Sequence, residues 1–163
     1  MAAVYIALGS NIAPEENLTA AVGLLRERMT LTGASPVFRT PPWGVTDQPD
    51  FLNAVVAAKT TLAPSELLDA LQAIEQARHR EHTLLNGPRT LDLDLLLYGN
   101  LVLAGGRLTV PHPRLHQRGF VLVPLCALAP ELRHPVLGAT MGRLLAAVNA
   151  GGIVEVAFRL PVS

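Results

Sequence analysis

Val4, Ile6 and Leu8 alternate with their neighbours and stop at Gly9-Ser10-Asn11. A period of two marks a strand, and the Gly-Ser-Asn run marks the turn that ends it. Pro14, Glu15 and Glu16 then open a helix, with proline in the first turn and acids at the positive end of the dipole. Leu18, Ala21, Val22, Leu25 and Met29 recur at helical spacing, which predicts a helix over about 14–29. A second strand is expected over 31–38, bent near Gly33 or Pro36. Residues 39–50 hold three prolines and a glycine and read as a loop. An apolar strand follows over 51–60. Pro64 opens a second helix, with Leu67, Leu68, Leu71 and Ile74 on one face, running to about Arg78. Residues 84–88 read as a loop and 90–98 as a strand of plain alternation.

Strand-helix-strand, written twice, is the split βαβ or ferredoxin-like pattern. It predicts an α+β fold: an antiparallel four-stranded sheet with both helices packed on one face. A C-terminal extension from about Leu101 adds a short strand, helical segments near Phe120 and Thr140, and a last strand over 153–158. No repeat or linker interrupts the pattern, so a single domain over 1–163 is expected.

Composition narrows the function. Of 163 residues, 50% are apolar and 16% charged, which excludes intrinsic disorder. Thirteen basic residues balance thirteen acidic ones. A neutral chain offers no general field for nucleic acid or an anionic membrane, so neither partner is expected and an anionic ligand must be caught locally. The single cysteine, Cys126, allows no disulfide framework. The start Met1-Ala2-Ala3-Val4 carries no basic segment and does not read as a signal peptide. The longest apolar run, 120–129, is about half a membrane span and is interrupted by Pro124. A soluble monomer in a reducing cytoplasm is the expectation. Lys59, the only lysine, follows Ala58 rather than glycine, and no stretch reads G-x-G-x-x-G. Neither common nucleotide cradle is present.

The sharpest chemical feature is Gly87-Pro88-Arg89-Thr90-Leu91-Asp92-Leu93-Asp94-Leu95. In a strand, Asp92 and Asp94 project from one face, about 7 Å apart. Two such carboxylates repel unless a cation lies between them, so the pair reads as a magnesium site. A solvent-facing strand is the plain alternative, but Leu96 on the same face is apolar and strands rarely use Asp for ordinary exposure. A nucleotidyltransferase is excluded, because its Gly-Ser turn falls about a dozen residues before the D-x-D, whereas Gly9-Ser10 lies far upstream. Arg78, Arg80, Arg89, Arg107 and Arg118 flank the strand. Singly, each reads as a surface residue; together around a magnesium site they make a triphosphate the economical ligand. His112, between two prolines, reads either as a turn residue or as a ligand contact. Phe51 and Phe120 are core candidates by default, or else the walls of a slot for a flat heterocycle whose edge Asn53 would read.

These residues fall into ordered segments: 5–11, Arg39-Thr40-Pro41-Pro42-Trp43-Gly44, 47–54, 87–94, 108–112 and Arg118-Gly119-Phe120. In that order and spacing the chain resembles the 6-hydroxymethyl-7,8-dihydropterin pyrophosphokinases of folate biosynthesis over nearly its whole length. The resemblance implies a ferredoxin-like fold and transfer of pyrophosphate from ATP, the co-substrate, to the pterin hydroxymethyl group, with release of AMP. It implies that Asp92 and Asp94 hold two Mg2+ ions, about 4 Å apart, that bridge the triphosphate. Arg80 and Arg89 correspond to phosphate-holding, catalytic arginines, and His82, Arg107, Thr109, His112 and Arg118 to further ATP contacts. Gln72, Glu75 and Leu95 match positions near the nucleoside. On the pterin side, Thr40, Pro41 and Trp43 line the loop, Asn53 reads the ring edge, Phe51 and Phe120 stack, Asp92 approaches the hydroxyl and Asn11 braces the pocket. The chain departs from the family at His82 and Leu85, where arginines are usual, and at Asn86, where tryptophan is common. Two rivals stay in view: a non-catalytic ferredoxin-like ligand-binding module, and an enzyme that transfers a single phosphate.

Overall fold

A computed structural model of the chain describes residues 1–42, 46–78 and 90–162. The first strand, β1 (Ala2–Ser10), turns Val4, Ile6 and Leu8 inward and pairs antiparallel with β4 (Phe51–Thr60) on one side and β5 (Asp92–Tyr98) on the other. The strand expected over 31–38 is two strands, β2 (Thr30–Ala34) and β3 (Phe38–Thr40), both paired with β4. Between them Ser35 takes over the ladder. Its N–H donates to Val55 O at 2.8 Å, and its hydroxyl accepts from Val55 N at 2.9 Å. Pro36, with no N–H to give, then interrupts the pairing until Phe38 resumes it. Counted as one interrupted strand, β2 and β3 complete the split βαβ order foreseen from sequence.

The helices α1 (Pro14–Arg26) and α2 (Pro64–Ala77) start at their prolines. α1 stops three residues short of the expected end, and Met29 reaches the core from the turn beyond it. Both helices cover one face of the sheet, where Leu18, Leu25, Leu67 and Leu71 pack on Ile6, Leu8, Ala54, Val56, Leu93 and Leu95. Two layers closed over their apolar faces are what the alternation demanded.

The opposite face holds a second apolar cluster. Here α3 (Gly119–Leu128) and α4 (Met141–Ala146) bring Val121, Leu122, Leu125 and Met141 onto Val55, Leu96 and Leu97. Pro124 does not break the apolar run: α3 continues through it. A helix apolar all round is buried, as this one largely is. Among the described residues, no helix is long and apolar enough to cross a membrane.

Plain alternation in β5 fails at one point. Tyr5 pairs with Leu97 and Ile6 with Leu95, so Leu96 is an extra residue in a bulge. Leu96 and Leu97 therefore both join the second cluster, while Leu93 and Leu95 stay in the first. The expected strand after Leu101 is a single bridge, Leu103 to Val110. The strand expected over 153–158 shortens to β6 (Val154–Glu155) on the edge of β3. Leu160 turns back into the first cluster.

Candidate active site

α3 and α4 cover only part of the second face. Gly9, Asn53, Asp92 and Asp94 lie beyond both apolar clusters. They form a row set by register: Asn53 is opposite Gly9, Gly9 opposite Asp92, and Ala7 opposite Asp94. Two strand spacings, about 10 Å, separate the amide end of the row from the carboxylate end.

At the amide end, Asn53 Nδ2 donates to Thr40 Oγ1 at 2.7 Å. A β-carbon on Gly9 would stand 2.5 Å from Asn53 Oδ1, so the amide lies where only glycine gives it room. Phe51, half-buried, pairs with Thr40 across β3 and β4. A cavity of ≈ 190 Å³ opens beside Thr40, bounded by Thr40, Pro41 and Pro42 on one side and by Arg118 and Phe120 on another. The Arg118 guanidinium carbon stands 5.4 Å from the Phe120 ring centroid, within cation–π range. Asn11, buried at the end of β1, donates from Nδ2 to Gln48 Oε1 at 2.9 Å and to Pro49 O at 3.0 Å. It ties the loop before β4 to the end of β1.

At the carboxylate end, Asp94 exerts its charge on both His112 and Arg118. Burial lowers the His112 pKa below its ordinary value; Asp94 opposes that shift, and Arg118 and Arg114 add to it. The ring is therefore held toward its neutral form. Its Nδ1 accepts from Arg114 N at 3.2 Å, which assigns the ring proton to Nε2. Burial also lowers the Arg118 pKa; Asp94 and Asp92 oppose it and Arg114 reinforces it. A guanidinium stays charged regardless. Asp92 Oδ1 is shut off from solvent.

Comparison with known proteins bears on this arrangement. Residues 5–130 match the 7,8-dihydro-6-hydroxymethylpterin-pyrophosphokinase family. A 2-amino-4-hydroxy-6-hydroxymethyldihydropteridine pyrophosphokinase of Pseudomonas aeruginosa is 50% identical over 154 residues, covering 92% of this chain and 94% of the relative. The chain belongs to this family. The enzyme of the same name from Bacillus subtilis is 43% identical, covering 83% of each chain. Among solved structures, the wild-type HPPK-DHPS of Plasmodium falciparum shares the fold with a TM-score of 0.70 at 14% identity. That match covers 89% of this chain and 44% of the larger one.

The other residues that the pyrophosphokinase resemblance singled out fall along α2 and the edge of β5. Arg107, exposed, donates to Asp69 and, at 3.0 Å, to Gln72 Oε1. Glu75 is only 5% exposed, and its Oε2 accepts from Leu93 N at 2.8 Å, between the two aspartates in sequence. Leu95 is 4% exposed and faces the α1–α2 side of the sheet. Thr109 is half-buried beside the Leu103–Val110 bridge. Arg78, one of the arginines that flank the D-x-D strand in sequence, is held by α1, with Nε donating to Asn17 Oδ1 at 3.0 Å. Trp43, Arg80, His82 and Arg89 lie outside the described residues.

Among the described residues no three or more His, Cys, Asp or Glu side chains group as a metal site. Two carboxylates on one strand face nevertheless fit Mg2+, which keeps several waters and takes one or two carboxylates together with substrate phosphates.

Sequence reasoning missed Gly9 as a residue of the site, although a glycine inside a strand signals close approach. It also missed Arg114, which positions His112, and the stretch 149–153, which walls the cavity. No local signal marks the last of these.

Proposed function

We propose that the row from Thr40 to Asp94 binds 6-hydroxymethyl-7,8-dihydropterin and ATP side by side. The chain then transfers pyrophosphate to the pterin hydroxymethyl group and releases AMP, a step of folate biosynthesis. Arg118 is the observation that carries this reading. It lies over Phe120, on the wall of the heterocycle cavity, and it feels the charges of Asp94 and Asp92. One side chain thus joins the two halves of the site.

AMP as product defines the bonds. The pterin hydroxyl oxygen bonds to the β-phosphorus, the bond from that phosphorus to the α,β-bridging oxygen breaks, and the hydroxyl proton leaves to solvent. Thr40 and Asn53 read the ring edge with a hydroxyl and an amide, which between them offer donors and acceptors. Phe51 and Phe120 supply stacking surface, Pro41 lines the slot, and Trp43 belongs here by sequence. Asp92 and Asp94 would hold Mg2+, two ions in the fullest form of this reading. Bound there, the metal would neutralise the charge of the triphosphate.

Asp92 shares its row with Asn53 and is the carboxylate nearer the pterin hydroxyl. Arg118 and the Nε2–H of His112 face the phosphates, and Arg80, His82 and Arg89 join them by sequence. Gln72, Glu75, Leu95, Arg107 and Thr109 mark the nucleoside side. No strong base stands beside the hydroxyl among the described residues, so positioning and electrostatics supply most of the rate.

The deciding experiment mixes the chain with ATP, Mg2+ and the hydroxymethyl dihydropterin and identifies the nucleotide released. AMP supports the reading. ADP would make the chain a single-phosphate transferase, and ligand binding without turnover would make it a binding module.

A further inference from the structure

The cavity has a third wall that lies beyond residue 130, where the family match ends. Asn149, Gly151 and Ile153 line it. This stretch is wedged between the two parts of the site that must face each other across a heterocycle. On one side it touches the start of α3: a β-carbon on Gly119 would meet Asn149 O at 2.9 Å and Ile153 Cδ1 at 3.5 Å. Gly119 lies between Arg118 and Phe120, so the wall bears on the backbone that aims both side chains. On the other side Gly152, at φ +81°, places its β-position 3.4 Å from Pro41 Cγ. The stretch is held from within and anchored at its far end. Gly151 N donates to Asn149 Oδ1 at 2.9 Å, and Val154 and Glu155 pair with Arg39 and Phe38, immediately before Thr40.

We propose that residues 149–153 form a specificity-determining wall of the pterin slot, with Ile153 setting how wide it opens between Pro41 and Phe120. This rests on reading the cavity as the pterin slot. The wall gauges ring substituents by size: an apolar side chain at 153 limits bulk, and the contact at Gly119 fixes the distance to Phe120. Triphosphate binding, centred on Asp92 and Asp94 at the far end of the row, feels the wall only indirectly, through Arg118.

The test is Ile153→Ala, with KM for the dihydropterin and for ATP measured separately, melting followed alongside, and ring-alkylated dihydropterins tried as acceptors. Loss of apolar contact of this size in a pocket changes discrimination by roughly tenfold. The expected result is a pterin KM raised by that order, an ATP KM raised by less than about threefold, and alkylated acceptors gaining on the natural one. An unchanged pterin KM, or both KM values rising by the same factor, overturns the proposal. Should Ile153→Ala melt too low to assay, Ile153→Val decides by the same split: a rise in pterin KM alone supports the wall, and no rise overturns it. Failure of the pyrophosphokinase reading itself appears separately, as absence of AMP release from the unaltered chain.

Discussion

The side-chain amide of Asn53 occupies the space a side chain on Gly9 would need, its Oδ1 standing 2.5 Å from the ideal β-carbon position. β1 and β4 are paired at this point, so neither backbone can retreat without opening the ladder. Gly9→Ala should therefore turn the Asn53 amide away from Thr40 while the rest of the sheet holds. A hydrogen bond of this kind is worth about 1 kcal/mol, and leaving a buried partner unmet costs about 1–3 kcal/mol. Dihydropterin affinity should fall by roughly tenfold or more on that scale, with ATP affinity retained. Titration of each ligand alone checks this, and equal loss of both would make Gly9 a residue of the fold only.

Phe120→Ala should weaken dihydropterin binding strongly, since aromatic stacking contributes about 0.5–1.5 kcal/mol beyond area burial. Because Arg118 rests on the same ring, ATP binding should loosen slightly as well, by about 0.5–1 kcal/mol for a cation–π contact. Phe120→Leu should keep part of the packing and lose the ring's hold on Arg118. Comparing the two variants against both ligands separates stacking from bulk.

Asp92→Ala and Asp94→Ala should each remove most turnover, by about a hundredfold or more for a charge-stabilised transition state. Asp94 belongs to no apolar cluster, so Asp94→Ala should melt near the parent temperature. Near-normal turnover in both would reject the carboxylate pair as the metal site.

Glu75 fastens α2 to β5 through the N–H of Leu93. Glu75→Gln keeps an acceptor oxygen and should fold almost as stably. Glu75→Ala leaves a buried N–H unmet and should cost about 1–3 kcal/mol, read from denaturant unfolding. Turnover should fall further than stability alone explains, because Leu93 sits between the two aspartates.

His134 gives a pH dependence with a definite sign. Burial first, and His116 beside it, lower its pKa below the ordinary value of 6.5. Its Nδ1 accepts from Val136 N at 3.2 Å and Leu137 N at 3.1 Å, and protonation there would displace both. The unfolded chain therefore binds this proton more readily than the folded one. His134 leaves stability intact above about pH 6.5 and erodes it as pH falls from there toward the depressed folded pKa. Unfolding curves across that range should show the loss, and His134→Asn should flatten the slope.

Much of this protein was legible along the chain because its signals are local. Periods of two and 3.6, prolines at the helix starts and the D-x-D in a strand named the elements and the face that carries Asp92 and Asp94. The ordered segments from 5–11 to Arg118-Gly119-Phe120 named the family. Periodicity says which way a side chain turns, but not which strand lies beside it or how near. The bulge at Leu96 follows from the partner strand, since Tyr5 and Ile6 skip a residue that alternation alone would count. Glu75 reads as one more polar position on a helix until packing buries it against Leu93 N. Gly9 acquires its role only when Asn53, far away in sequence, is laid across it. The wall at 149–153 carries no motif, because a glycine pair and an isoleucine become a gauge only between Pro41 and Gly119. Face and periodicity belong to the sequence, whereas neighbour, register and distance are long-range and were decided by the tertiary structure.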